Sequence, residues 1–265
     1  MIGIIGGSGI YDPEMIEDVV DTVVRTPYGD VDILRGCYSK KEVAFLPRHG
    51  RSHGVPPHII NYRANIWALR SIGVDRIFST SASGSINTSI NPGSFVVLSN
   101  FIDFTKGRPN TFYDGPSSLS GLKEVVHIDV TEPYCPELRR LAIEAGKGLD
   151  LPIVENGVYV CTEGPRFETA AEIEMFSRMG GDVVGMTNVP EVVLARELEI
   201  CYCSIALVTN YAAGISGYRL THKEVLELME KNKEAVGSLF MDAIPKIPQI
   251  RKCECKNLLQ GAKSD

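Results

Sequence analysis

Short apolar runs alternate with amphipathic stretches along most of the chain. Runs rich in β-branched residues predict strands at 2–5, 43–46, 76–79, 95–100, 158–161, 183–186 and 205–209. Between them, apolar residues recur at three- and four-residue spacing, which predicts helices over 57–71, 137–147, 169–179, 191–198 and 221–243. This alternation is typical of an α/β fold, and a length of 265 residues favours one domain.

The composition is that of an ordinary globular protein. Apolar residues make up 44% and charged residues 23%, and no apolar run approaches the roughly 18 residues that span a bilayer. The opening MIGIIGG is too short for a signal peptide and is interpreted as the first buried strand of a soluble cytoplasmic protein. The net charge of −6 disfavours nucleic acid and anionic membranes as partners, because both usually require a broad basic face.

Two stretches differ from this periodic pattern. Residues 105–121 (TKGRPNTFYDGPSSLSG) are rich in Gly, Pro, Ser and Asn, and predict a long excursion of the kind that is often functional. After Ile250 the polar segment RKCECKNLLQGAKSD has no obvious core face. We therefore divide the chain into a domain at 1–250 and a C-terminal tail at 251–265, which is expected to fray or to cap the domain.

Six polar or glycine-rich segments follow the predicted strands. GGSG (6–9), PRHGRSH (47–53) and TSASGS (80–85) offer amides, hydroxyls and cations to an oxyanion. EGPRFET (163–169), GMTNVPE (185–191) and TNYAAG (209–214) offer an aromatic ring, a carboxylate and amides to a heterocycle. Each has a structural alternative: a glycine turn, a solvated loop, a tight strand-to-helix turn, a core phenylalanine or a turn-forming asparagine. Their common position favours one ligand site, because α/β sheets collect ligands at strand ends.

Taken together, GGSGIYD, PRHG with PHIINYRANIWAL, EGPRFET, GMTNVPEVVLARE and TNYAAG resemble the trimeric purine nucleoside phosphorylase and methylthioadenosine phosphorylase family. The resemblance runs over about residues 2–240. It implies a single α/β domain with a mixed central sheet flanked by helices. It also implies trimers, sometimes paired into hexamers, in which a neighbouring subunit completes the 5′ region of the site. No metal or cofactor is expected, and inorganic phosphate is a co-substrate.

Carried over position by position, the resemblance implies a pocket with three parts. The phosphate is bound by Ser8, Arg48, His49, Ser81, the amide of Ala82, and Thr187. The nucleoside is bound by Phe167, Glu168, Met186, Asn210, Ala212 and His222, with Met186 under the ribose and Phe167 against the purine. His49, Glu168 and Asn210 are the expected catalytic residues.

Three positions distinguish the branches of this family: two concern the purine and one the 5′ substituent. Asn210 can donate to O6 and accept from a protonated N7, whereas the methylthioadenosine branch has aspartate there and at the position of Ala212. Glu168 can accept from N1–H, which adenine lacks, and the methylthioadenosine branch has serine there. His222 resembles the histidine that bonds the 5′-hydroxyl in the guanosine and inosine enzymes, or is an exposed residue at a helix start.

These features predict phosphate-dependent cleavage of inosine and guanosine to the free base and α-ribose 1-phosphate, a purine salvage reaction. Three alternatives stay open. The segment Ala212-Ala213-Gly214 also resembles the methylthioinosine phosphorylases, so a methylthioinosine or methylthioadenosine phosphorylase is the first. The second is a nucleoside hydrolase, which does not account for the crowded anion site. The third is a non-catalytic nucleoside-binding module.

Seven cysteines are scattered along the chain at 37, 135, 161, 201, 203, 253 and 255. An odd, scattered set in a cytosolic protein usually means buried thiols. Zinc is disfavoured because only Cys253 and Cys255 form a close pair in a turn-like setting, with no histidine following at ligand spacing. This CxC ending resembles heat-stable members of the family, which implies a Cys253–Cys255 disulfide with Cys135 pairing near Cys201 or Cys203. Free thiols and an adventitious metal clip are the alternatives.

Overall fold

The computed structural model describes residues 1–6, 16–52, 54–217 and 221–263, without the side chain of residue 222. Within these ranges the strands are Ile2–Gly6 (β1), Glu17–Thr26 (β2), Gly29–Tyr38 (β3), Lys41–Pro47 (β4), Arg76–Ser85 (β5), Phe95–Phe104 (β6), Ile153–Thr162 (β7), Val183–Gly185 (β8) and Cys201–Tyr211 (β9). The α-helices are Tyr62–Ser71 (α1), Pro136–Gly148 (α2), Ala170–Arg178 (α3), Asn188–Glu197 (α4), His222–Lys231 (α5) and Lys233–Lys246 (α6).

The strands form one mixed sheet in the order β2-β3-β4-β1-β5-β8-β7-β6-β9. β1 pairs in parallel with β4 and β5, whereas β2 and β3 form an antiparallel hairpin at the edge. β9 also pairs in parallel with β5, so β5, β8, β7, β6 and β9 close into a ring. Near the end of β5, Gly84 pairs with Val184 on one side and with Asn210 on the other. The predicted single α/β domain with a mixed sheet is confirmed.

Helices cover the sheet on two sides, and each side has its own apolar core. One core packs α1 and α4 against the sheet through side chains such as Ile66 and Leu194. The other packs α2 and α6 through Leu141 and Phe240, whose ring stacks on Phe78 of β5 at a centroid distance of 5.5 Å. This arrangement leaves the loops at the ends of the strands between the two helix layers.

The edge hairpin was not predicted from the sequence, although the seven predicted strands are all present. β2 is exposed along most of its length, and Val20 and Val23 face solvent at 58% and 61% exposure. Because most of its valines are not buried, β2 lacks the simple alternation of apolar and polar residues that identifies a half-buried strand. Its acidic residues reinforce the appearance of a loop.

The segment 80–85, for which a tight turn was the structural alternative to an anion site, is the second half of β5. Its small side chains have a packing reason. A Cβ atom added to Gly84 would lie 3.3 Å from Asn210 Nδ2 and 3.4 Å from a methyl carbon of Val184. Closure of the ring therefore requires small residues here, and the turn interpretation was wrong.

The excursion and the tail both pack onto the domain. The segment between β6 and α2 contains a short 3₁₀ helix at Gly115–Ser117 and buries Phe112 completely. The tail forms a 3₁₀ helix at Glu254–Asn257, and Val126 makes an isolated β-bridge with Lys263. The cysteines are free thiols in the structure, so the expected Cys253–Cys255 bridge is not formed there. Among the described residues, no helix combines the length and apolarity required to cross a membrane.

Candidate active site

A cavity of about 570 Å³ opens where the strand ends meet. Its walls come from the loop after β4, the second half of β5, the loop after β7, the ends of β8 and β9, and helix α5. Most of the residues singled out from the sequence line it, namely Arg48, His49, Ser81, Ala82, Phe167, Glu168, Met186, Thr187, Asn210 and Ala212. Ser8 and the side chain of His222 lie outside the described residues. The structure therefore brings together the expected residues that it describes.

The cavity lining includes two threonine hydroxyl groups without hydrogen-bond partners. Thr80 and Thr187 are 1% and 6% exposed, and the Oγ1 atom of each is buried without a hydrogen-bond partner in the described structure. Such orphaned groups cost about 1 to 3 kcal/mol each unless a ligand satisfies them. Ser81 also lines the cavity, with its Oγ 3.4 Å from Ser83 Oγ. These hydroxyl groups are suited to binding an oxyanion.

Arg48 lines the cavity next to Thr80, but the two parallel hydrogen bonds of its guanidinium are made to a buried glutamate. Nε and Nη2 donate to the two carboxylate oxygens of Glu191 at 2.7 Å each. Nη2 also donates to Ser79 Oγ at 2.6 Å, and Nη1 to the Thr80 carbonyl oxygen at 2.8 Å. These bonds use four of the five N–H groups of a guanidinium. The bidentate grip on phosphate that motivated Arg48 is therefore directed to Glu191, which leaves one N–H for the cavity.

Glu191 was missed as a site residue by the sequence reasoning. Its side chain is fully buried, and besides Arg48 it accepts from Ser79 Oγ at 3.1 Å and from Tyr202 OH at 2.6 Å. Burial would lower the pKa of Arg48, but the Glu191 carboxylate outweighs this and raises it. The available signal was a lone acid in the apolar stretch VPEVVLA, which is costly to bury unless it is paired.

His49 follows Arg48 and is oriented by the backbone. Its Nδ1 lies 2.8 Å from the Val55 carbonyl oxygen. Since a carbonyl can only accept, this contact requires the proton on Nδ1. In the neutral ring Nε2 is then an acceptor, and after protonation it is a donor.

The cavity lining also includes a buried acid and an amide. Glu168 is 9% exposed and accepts from Thr162 Oγ1 at 2.6 Å. Burial raises the pKa of Glu168, and the hydrogen bond from Thr162 opposes part of this rise. Asn210 accepts from Thr209 Oγ1 and donates through Nδ2 to the Tyr211 carbonyl oxygen, both at 2.8 Å. The second bond fixes the assignment of oxygen and nitrogen in this amide.

Arg108 comes from the excursion and ties the cavity loops together. It donates to the Met186 and Val189 carbonyl oxygens at 2.8 and 2.7 Å, and to the Glu163 carbonyl oxygen at 2.7 Å. The loops after β7 and β8, which provide Phe167, Glu168 and Met186, are thus held by one buried cation. The sequence identified the excursion as potentially functional but not this residue. No motif marks it, since its partners are backbone atoms distant in sequence.

The cavity also has an apolar wall. Val225, Leu226 and Met229 of α5 line it together with Phe167, which is 39% exposed. The fold and the cavity thus define an α/β protein whose single pocket can hold an oxyanion, a polar heterocycle and an apolar group between or beside them.

The chain belongs to the phosphorylase superfamily, whose family model matches residues 1–245. It is 58% identical to the 6-oxopurine nucleoside phosphorylase of Pyrococcus furiosus, over 98% of each chain. It is 47% identical to a probable S-methyl-5′-thioinosine phosphorylase of Thermodesulfovibrio yellowstonii, over 98% of this chain and 96% of that one. Among solved structures, methylthioadenosine phosphorylase from Schistosoma mansoni in complex with adenine matches with a TM-score of 0.92 and 35% identity, covering 99% and 98% of the two chains.

Proposed function

We propose that this chain is a nucleoside phosphorylase that uses inorganic phosphate to cleave 6-oxopurine nucleosides such as inosine and guanosine, in purine salvage. The observation that carries the proposal is a single cavity lined by two chemically different sets of groups. One set is the buried, unpartnered hydroxyls of Thr80 and Thr187, and the other is Glu168 and Asn210. The first set matches phosphate, and the second matches a ring N–H beside a keto group. The name of the Pyrococcus furiosus relative supports the same substrate class.

In this reaction, phosphate is held by Thr187, Ser81, the Ala82 amide and the remaining N–H of Arg48, with Ser8 as a further donor. A phosphate oxygen forms a bond to C1′ while the bond from C1′ to N9 breaks, and the bonding electrons move into the purine. The base takes up a proton, which is balanced by the proton lost from hydrogen phosphate. His49 helps to orient the nucleophile, and the work of the protein is positioning and electrostatic stabilisation.

The base is recognised through its keto edge. Glu168 accepts from N1–H, and Asn210 accepts from N7–H while donating to O6. Asn210 thereby stabilises the departing purine at two of its atoms, N7 and O6. Adenine presents an amino group and a bare N1, so each polar mismatch would cost about 1 to 3 kcal/mol.

A second candidate substrate is 5′-methylthioinosine. The apolar side chains of Val225, Leu226 and Met229 on the cavity wall favour a methylthio group over a hydroxyl. The name of the Thermodesulfovibrio yellowstonii relative points the same way. A hydroxyl would instead use His222, which begins helix α5.

We further propose that the chain acts in the cytoplasm as a homotrimer or a pair of trimers. Phe167 lines the cavity yet is 39% exposed in one chain, as expected if a neighbouring subunit completes the pocket. Light scattering coupled to size exclusion measures the mass directly. A monomer at micromolar concentration with full activity would contradict the assembly but not the chemistry.

The test of function is a phosphate-dependent panel of inosine, guanosine, methylthioinosine, adenosine and methylthioadenosine, with base release followed by chromatography. We expect turnover of the 6-oxopurines only when phosphate is present, with ribose 1-phosphate or its methylthio analogue as co-product. Turnover of inosine in phosphate-free buffer would indicate a hydrolase, and binding without turnover would indicate a binding module.

A matched pair of variants tests the phosphate end. Thr187→Val removes a buried hydroxyl with little change in shape, and loss of one such hydrogen bond is worth about 1 to 3 kcal/mol. We expect the KM for phosphate to rise by roughly 5- to 150-fold, whereas Thr88→Val, at an exposed position, should leave it unchanged. An unaltered KM for phosphate in Thr187→Val would exclude this hydroxyl from the anion site.

A further inference from the structure

Four cysteine side chains from distant parts of the chain meet outside the nucleoside cavity. Cys135 precedes α2, Cys201 begins β9, and Cys253 and Cys255 come from the tail. All four are buried, and their Sγ atoms lie within 4.8 Å of one another. The Sγ atoms of Cys201 and Cys253 are 3.4 Å apart. Of the two thiols considered as neighbours of Cys135, Cys201 joins this cluster and Cys203 does not.

These separations match a metal site better than a set of covalent bridges. A sulfur–sulfur bond requires about 2.05 Å. Four thiolates around a tetrahedral zinc ion, each about 2.3 Å from the metal, lie roughly 3.8 Å apart. The Cys201–Cys253 separation of 3.4 Å is close to this value and no pair exceeds 4.8 Å, so closing the four sulfur atoms on a central ion requires only small movements of the side chains.

The surroundings favour negative charge on sulfur. Cys135 occupies the N-cap position of α2 without a capping hydrogen bond from its side chain, and the end of a helix with free N–H groups stabilises an anion. Arg251 interacts electrostatically with Cys201 and Cys253, and Arg196 with Cys135 and Cys255. Two guanidinium groups would balance the net charge of −2 of a zinc tetrathiolate.

We propose that Cys135, Cys201, Cys253 and Cys255 form a structural site for a thiophilic divalent cation, with Zn²⁺ the best match. Each thiol releases its proton to solvent as the metal binds, so the four sulfur atoms supply a closed tetrahedral set with no position for substrate. None of the four lines the nucleoside cavity. The ion instead joins the tail to the start of β9 and the start of α2, and so fixes residues 251–263 on the domain.

The sequence alone does not reveal this site, because only Cys253 and Cys255 are adjacent in the chain. The other two ligands are brought in by the fold: the Cys135 backbone N–H donates to the Tyr202 carbonyl oxygen at 2.8 Å, which holds α2 next to β9. The competing state of the same four thiols is a pair of disulfides. That state requires removal of four electrons by an oxidant, and it excludes the metal.

The test uses the full-length protein produced in a reducing cytosol and purified anaerobically with added zinc and without a metal-affinity tag. We expect about one zinc ion per chain by elemental mass spectrometry, and X-ray absorption with four sulfur neighbours at about 2.3 Å. Replacement by Co²⁺ should give the charge-transfer and intense d–d bands of a tetrahedral thiolate site.

Variants separate this site from adventitious binding. Cys253→Ser and Cys201→Ser should each lose the zinc and the cobalt spectrum, whereas Cys37→Ser, outside the cluster, should keep both. Cys253 lies in the tail, so circular dichroism can verify that its variant remains folded. Fully reduced thiols that bind no zinc would overturn the proposal. Disulfides linking these residues in the anaerobic sample, detected by alkylation and peptide mass mapping, would also overturn it.

Discussion

Replacing Asn210 by aspartate exchanges one NH₂ group for an oxygen at the end of the cavity that is proposed to read the purine. In the structure Nδ2 donates to the Tyr211 carbonyl oxygen, while Oδ1 accepts from Thr209 Oγ1. Aspartate keeps the second contact but sets an oxygen against the Tyr211 carbonyl oxygen. The side chain must then either take up a proton or rotate. In both cases the amide donor proposed for O6 of a 6-oxopurine is lost.

The size of the effect follows from the contacts. One unmatched buried polar group costs about 1 to 3 kcal/mol, which at 1.4 kcal/mol per factor of ten is roughly 5- to 150-fold in kcat/KM for inosine. For adenosine the change is favourable at the 6-amino group but leaves Glu168 opposite a bare N1. We therefore expect the ratio of inosine to adenosine activity to fall by at least about tenfold. Adding Glu168→Ser removes the second mismatch and should raise adenosine activity further.

The assay is base release from both nucleosides at saturating phosphate, with kcat/KM determined for each. Asn100→Asp is the matched control, because this exposed asparagine accepts from the Phe101 amide through an oxygen that aspartate retains. Its activity ratio should equal that of the parent protein. An unchanged ratio in folded Asn210→Asp would refute the assignment of Asn210 to the purine edge.

Two further substitutions test the buried acids. Glu191→Gln removes the carboxylate beside Arg48, and loss of one partner of a buried ion pair costs about 3 to 5 kcal/mol. We therefore expect the free energy of unfolding in urea to fall by this order and the KM for phosphate to rise. The control Glu174→Gln, at an exposed position, should change stability by less than about 1 kcal/mol. An unaltered KM for phosphate would separate the Arg48–Glu191 pair from anion binding. Because the pKa of Glu168 is raised, its carboxylate loses its charge as pH falls through that value, so kcat/KM for inosine should show an acidic limb that is absent in Glu168→Gln. The stability that Glu168 contributes is complete below the unfolded-state pKa and is lost as pH rises through the higher folded-state pKa. Glu168→Gln should therefore be the more stable protein at neutral pH. The same acidic limb, or the same pH dependence of unfolding, in both proteins would contradict this reasoning.

The sequence was informative where burial is continuous and where motifs are local. Central strands such as β1 and β6 are apolar runs, so their existence was predictable without knowledge of the fold. β2 was not, because it is stabilised by pairing with β3 rather than by a buried face. The small residues at the end of β5 are required by the close approach of β8 and β9. From the local sequence alone, a tight turn was an equally reasonable interpretation.

The candidate site divides in the same way. Residues at or just after strand ends, such as His49, Glu168 and Asn210, could be grouped because strand ends converge. Glu191 and Arg108 act through partners far away in the chain, and no spacing marks them. The orientation of Arg48 toward Glu191 could not be predicted, since it depends on which neighbour captures the guanidinium. The cysteine cluster joins segments that only the complete fold makes adjacent.

The ring of five strands imposes an order on how this molecule can be made. β9 is the last strand in the chain, yet it provides the neighbour of β5 along its length and of Phe95, Val96 and Val97 in β6. Until synthesis reaches β9, the edges of β5 and β6 that pair with it remain open on the ribosome. The side-chain amide of residue 210 is also still missing. Such distant pairing is slow to form, so the growing polypeptide depends on its C-terminal third before it gains either a closed interior or a functional pocket.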